Sequence, residues 1–221
     1  MLSGIHRKLH QLRQPPSDFG SLRGDRKCRS HRHRQAFPPQ RARKQAAQKT
    51  AKVYPMCTSY GGAVITEAGT DSAVVGLVYA AHMPDSGKKE SEGGKRFPSD
   101  LAKSGAIKKL PDGFTYIDPG RFHELFAADL PVEQAAFMAR SQVFNFTDNV
   151  SATITTAAWR TKPSWMLVAG ADKTISPDLE RWYASRAKSH TVEIAGASHV
   201  VYISRPKEVA ALIQDATLHT R

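Results

Sequence analysis

The sequence predicts an α/β fold, a parallel sheet with helices on both faces. Three observations predict it. The runs Ala73–Ala81 and Trp165–Gly170 are continuously apolar rather than alternating, as expected of strands buried on both sides. Stretches with helical spacing alternate with these runs. Small-residue turns carrying a serine, an aspartate and a histidine follow successive strand-like runs, where a wound sheet collects its reactive groups.

The chain opens on a segment of another character. Residues 1–57 hold 14 Lys and Arg against Asp18 and Asp25 alone, which leaves 18 basic and 18 acidic residues in the remainder. The net charge of +12 therefore belongs to the first quarter of the chain. Pro15-Pro16 and Pro38-Pro39 break any helix, and no periodicity is visible. Such a segment buries too little apolar area to offset its ordering entropy, so residues 1–51 are expected to be a disordered basic extension. A basic arm suits nucleic-acid phosphates, and a non-enzymatic nucleic-acid-binding protein is the alternative reading. Only Phe19 and Phe37 are there to stack on bases, which disfavours that partner. An Arg-rich, acid-poor start also suits a transit peptide, but the paired prolines interrupt the helix it needs. His31 and His33, flanked by arginines, read as solvated side chains rather than metal ligands.

Cys28 and Cys57 lack the spacing of a disulfide framework or zinc site. No apolar run approaches the roughly 18 residues of a membrane span. Arg7, Lys8 and Arg13 interrupt any secretory signal. A cytoplasmic protein without membrane contact or bound metal is expected. Oligomeric state is not encoded in any pattern seen.

From residue 52 onward the elements can be taken in order. Cys57-Thr58-Ser59-Tyr60-Gly61-Gly62 places a serine among small residues, between a short extended run and a helix-like run. That is the pattern of a nucleophile elbow, a strained strand-to-helix turn. Ala73–Ala81 reads as a buried strand, and 85–113, rich in Gly, Lys, Ser and Pro, reads as loop. Phe122, Leu125 and Phe126 share a helical face, and Pro131 opens a second helix. Trp165–Gly170 is the next strand, ending at Asp172. Ser176-Pro177-Asp178 supplies a cap, a proline for the first turn and an acid, predicting a helix to about Lys188. Thr191–Ala195 reads as a short strand, with His199 in the loop beyond. Pro206 opens a last helix, with Val209, Leu212, Ile213 and Ala216 on one face.

Ser59, Asp172 and His199 all fall just past predicted strand ends. A serine hydroxyl needs an imidazole to take its proton, and the imidazole needs a carboxylate to fix its tautomer. The backbone N–H of Tyr60, next after the serine, is placed to hold an oxyanion. Singly, each residue reads better as a turn serine, a helix-flanking acid or a polar loop histidine; the order and placement of the three together favour catalysis. His82, His123, His190 and His219 have no such placement.

Ser59–Ile65, Gly76–Tyr79, Phe122-His123, Ala158-Trp159, Lys162–Trp165 and Ala197–Val201 resemble the α/β-hydrolase superfamily, and within it the small bacterial esterase-type branch related to plant esterases and hydroxynitrile lyases. The resemblance covers about residues 58–217. It implies Ser59 as nucleophile, Asp172 as acid, His199 as base, no cofactor, and small apolar esters as substrates. It also implies a helical cap at about 84–160 within a domain over 52–221. A lyase of the hydroxynitrile type using the same triad is a third, weaker reading.

The departures are as specific. The family carries strands and a His-Gly type loop ahead of the elbow, and that loop donates the second oxyanion-hole N–H. Here the basic, proline-interrupted segment stands there, Cys57 and Thr58 replace the glycine and histidine before the serine, and Pro55 removes a ladder donor. The sheet is therefore expected to be incomplete. Residues 1–57 read as an out-of-frame or rearranged replacement of the upstream half. Esterase activity is expected to be negligible.

Overall fold

A computed structural model describes residues 52–82, 84, 91–147, 149 and 153–219. They fall within a unit spanning Gln48–Arg221. The basic extension 1–51, with its expected disorder and its nucleic-acid reading, lies outside the described residues.

The central sheet has four parallel strands in the order β1 (Met56–Thr58), β2 (Leu77–Ala80), β6 (Ser164–Ala169) and β7 (His190–Ile194). Its middle strands are buried along their whole length. Alternation divides their side chains between two cores. Leu77, Tyr79, Met166 and Val168 pack with Ile65 of α1 (Gly61–Ala68) and with Leu179 and Tyr183 of α6 (Pro177–Ala187). Val78, Ala80, Trp165, Leu167 and Ala169 pack with Val209, Leu212 and Ala216 of α8 (Pro206–His219). Each large apolar side chain so buried contributes about 1.5–3 kcal/mol. Trp165, wholly buried, also donates its ring N–H to Asp215 at 2.7 Å.

The strands predicted at 165–170 and 191–195 form one residue earlier at their full length, and the run 73–81 shortens. Of the run 73–81, Val74 makes only an isolated bridge to Val53, and the strand proper begins at Leu77. Pro55 explains the gap. It has no N–H to give, so the ladder breaks there and resumes at Met56, although its carbonyl still accepts from Val78 N–H at 3.0 Å.

Between β2 and β6 the chain builds a separate layer. The stretch 85–113, expected as loop, instead holds α2 (Ser91–Arg96), α3 (Asp100–Lys103) and β3 (Ile107–Lys109). These elements are short and mostly exposed, so they leave no apolar period to read. Local chemistry makes them: the Ser99 side chain accepts from Ala102 N–H at 3.2 Å, and Gly105 takes a positive φ of 68° in the turn before β3. β3 pairs antiparallel with β4 (Phe114–Ile117), and β4 with β5 (Asn145–Phe146). The expected helical cap is therefore a mixed one. Its helix α4 (Pro119–Phe126) buries Phe122 and Leu125 of the predicted face, and α5 (Val132–Arg140) opens as predicted, with Pro131 in its cap position. Gln142 extends β4 by mimicking a strand: its amide oxygen accepts from Ile117 N–H at 2.9 Å, and its amide nitrogen donates to Ile117 O at 2.8 Å.

Among the described residues no helix is long and apolar enough to cross a membrane.

Candidate active site

Three parallel strands end at the same rim, and each delivers one candidate group. β1 runs into Ser59, whose N–H donates to Ala80 O at 3.0 Å and whose φ is +50°. A non-glycine residue in that region is strained, and the surroundings must hold it there. Two glycines do so. A Cβ at Gly61 would stand 2.9 Å from Cys57 Cβ, and one at Gly62 would stand 2.0 Å from the backbone oxygen of His82. The cysteine that replaces the expected glycine two positions before the serine is thus accommodated by Gly61 two positions after it. Burial raises the Cys57 thiol pKa, so it is held as the less reactive neutral form.

β6 ends at Ala169 and turns through Gly170 and Ala171 into Asp172. β7 ends at Ile194 and turns through Gly196, at a positive φ of 74°, into His199. The two turns are stitched together, since Ala171 N–H donates to Ala197 O at 2.9 Å. The side chains then meet. His199 Nδ1–H donates to Asp172 Oδ2 at 2.5 Å, and Ser59 Oγ lies 2.8 Å from His199 Nε2. Both Asp172 and His199 are buried. The second Asp172 oxygen accepts from Thr174 N–H at 2.6 Å and Ile175 N–H at 3.0 Å, which fixes the carboxylate and supports its charge. Phe126 from the cap lies against the imidazole, ring centroids 4.8 Å apart, and shields it from water.

A cavity of about 640 Å³ opens beside Ser59 and Tyr60. Ile107, Tyr116, Phe122, Phe126, Phe137 and Tyr202 make most of its wall apolar. Tyr60 stands at the entrance to α1, where its backbone begins the first helical turn. The segment ahead of Lys52, which stands where the family carries the loop with the second oxyanion donor, lies outside the described residues. So does the metal reading of His31 and His33; among the described residues no group of three or more His, Cys, Asp or Glu could hold a metal ion.

The sequence reading named Ser59, Asp172, His199 and Tyr60, and these four lie together. It missed Asp129, in the loop after α4. Asp129 accepts a very short hydrogen bond from Ser198 Oγ, next to His199, and Arg205 stands 4.0 Å from its other oxygen. Burial works to raise the Asp129 pKa, but the hydroxyl that Ser198 donates to it works the other way and the balance lies below the ordinary value. The reading also missed Glu180, the buried acid of α6. It shares a helical face with Tyr183 and Ala184, a spacing that was the only signal to find it by. His82 is buried edge-on against Tyr183, and His190 stacks on Trp165, both away from the Ser59 line.

Residues 15–212 match the family described as the alpha/beta hydrolase family. The match takes in residues 15–57, which the sequence reading set outside the resemblance. Among solved structures the chain is similar to polyneuridine aldehyde esterase, at 16% identity and a TM-score of 0.63 over 81% of this chain and 77% of that one. It is also similar to a pyrethroid hydrolase, at 17% identity and 0.59 over 80% and 74%. Tomato methylketone synthase I is similar at 14% identity and 0.61 over 81% and 76%. No curated protein sequence matches the chain. Such low identities carry the fold, and the family match carries the membership: this chain belongs to the alpha/beta hydrolase family.

Proposed function

We propose that the chain is a serine hydrolase of carboxylic esters, with Ser59 as nucleophile, His199 as base and Asp172 as its orienting acid. The observation that carries the reading is the unbroken line from Ser59 Oγ through both ring nitrogens of His199 to Asp172, at 2.8 and 2.5 Å. Ser59 Oγ attacks the ester carbonyl and passes its proton to His199 Nε2, and Asp172 stabilises the imidazolium. The backbone N–H of Tyr60 holds the oxyanion. Collapse expels the alcohol, which takes the proton back from His199, and water then releases the acid by the same steps. The apolar wall beside Ser59 suits small apolar acyl or alcohol groups.

Activity is proposed to be low, because only one oxyanion donor, Tyr60, is assigned. A missing donor lowers kcat by about 10²–10³. The nucleic-acid alternative rests on the charge of residues 1–57 alone. Hydrolysis of p-nitrophenyl butyrate by the full chain tests the reading. Slow release that ends when Asp172→Asn is introduced is the expected result, since a wrong imidazole tautomer costs about 10⁴ in kcat. Release that Asp172→Asn leaves untouched overturns the reading.

Asp129→Ala tests how the cap supports this site. Removing the Ser198 partner loosens the turn that carries His199, and a displacement of about 1 Å lowers rate by about 10²-fold. The expected outcome is a fall in kcat/KM of about 10–10², with a smaller change in melting temperature.

A further inference from the structure

Glu180 is fully buried, and no step of the proposed reaction uses it. The sheet explains its place. Gly170 N–H donates to Ile194 O of β7, so the preceding amide, Ala169, points the other way, toward β2. β2 has already ended at Ala80. Glu180 Oε2 takes the place of the departed strand and accepts Ala169 N–H at 2.8 Å. Asp172 N–H donates to Ala169 O at 3.0 Å, so one strand end holds both acids.

The two carboxyl groups are unequal. Asp172 receives two backbone N–H groups and the imidazole. Glu180 receives one N–H, and its buried Oε1 makes no hydrogen bond. The neighbouring cation makes no ion pair with it: Arg181, on the same helix, turns outward to Asp178 at 2.7 Å and Glu193 at 2.6 Å, and offsets the acid least of the groups that act on it. His199 is engaged with Asp172 and Ser59, and His82, where the chain leaves β2, packs on Tyr183 of the same helix at 5.4 Å.

We propose that Glu180 is a positioning residue for the reaction assigned above: it stands protonated at the shared strand end, leaving Asp172 as the one negative charge there, and its ionisation at alkaline pH disables the site. A second charge behind Asp172 would repel its carboxylate and pull it from the two backbone N–H groups that fix it, so the imidazole would lose the partner that orients it toward Ser59. Burial first, and the Asp172 charge second, raise the Glu180 pKa well above the ordinary 4.5. The sign for stability follows. A raised pKa gives stability that is complete below 4.5 and is lost as pH rises through the folded value. The urea midpoint of the parent should therefore fall relative to that of Glu180→Gln over that interval.

Infrared difference spectroscopy on the full chain tests the protonation without any turnover. At neutral pH the parent should show the C=O stretch of a buried protonated carboxylic acid, and Glu180→Gln should lack it. Spectra that match in that region mean an ionised Glu180 and overturn the proposal, whether or not the chain hydrolyses esters. The second arm follows kcat/KM on p-nitrophenyl butyrate from neutral to alkaline pH. The fall in the parent should be about tenfold steeper than in Glu180→Gln, and should track the loss of the infrared band in the parent itself. A uniform drop at every pH marks a purely structural residue and overturns the proposal. A band that disappears in Glu180→Gln, with no hydrolysis in the parent, supports the protonated acid and sinks the esterase reading alone.

Discussion

Ser59→Ala is expected to lower kcat on p-nitrophenyl butyrate by about 10³–10⁴, the roughly 10⁶ of a complete triad less the roughly 10²–10³ already forfeited with one oxyanion donor. Among the described residues, the hydroxyl is the only group at the rim that is bonded to the free nitrogen of the imidazole and sits on a strained turn beside the cavity. No neighbour can replace it. Ser198 adjoins His199 in sequence but spends its hydroxyl on Asp129. Cys57 lies two residues before the elbow, its thiol turned against Gly61 and kept neutral by burial. The substitution removes one oxygen and leaves the strand, turn and helix intact, so circular dichroism and melting temperature should change little. Retained hydrolysis with an unchanged fold would mean that the esters are cleaved elsewhere.

Gly62→Ala is expected to have the largest effect on the fold. Its Cβ would lie 2.0 Å from the carbonyl oxygen of His82 and 2.9 Å from the carbonyl carbon. These are backbone atoms at the exit of a central strand, and no side-chain rotation relieves them. Helix α1 must lift from the sheet, exposing Ile65 and disturbing the turn that holds Ser59. Overpacking a core typically costs 1–3 kcal/mol, and a backbone clash belongs at about 3 kcal/mol or above. Urea denaturation measures it. Gly94→Ala is the matched control, a helical glycine with nothing within 4 Å of an added Cβ. It should be neutral or slightly stabilising, because alanine favours the helix by about 1 kcal/mol. Equal losses for the two substitutions would refute the close approach of α1 to the sheet.

What could be read from the sequence, and what could not, divides along the range of the interactions. The strands 77–80 and 164–169 were legible because burial on both faces removes polar residues from the run itself. The elbow was legible because a strained turn demands small neighbours in fixed positions, even with Cys57 out of pattern. The order Ser59, Asp172, His199 was legible because a wound sheet puts successive strand ends at one rim. By contrast, β3 carries two exposed lysines and β4 and β5 span only four and two residues, so no period marks them. The bond from Ser198 to Asp129 joins residues 69 apart, and nothing local announces it. Glu180 was hidden for a different reason. Its role depends on where β2 stops, which only the strand register reveals.

Exposure of the full chain to a fluorophosphonate probe, with the modified peptide mapped by mass spectrometry, tests the central claim most directly. The probe reports an activated serine without requiring efficient turnover, so it bypasses the question of the second oxyanion donor. The account predicts one adduct per chain, on Ser59, forming more slowly in Asp172→Asn. An unmodified Ser59 in a folded chain, or an adduct on Ser198 in its place, would contradict it.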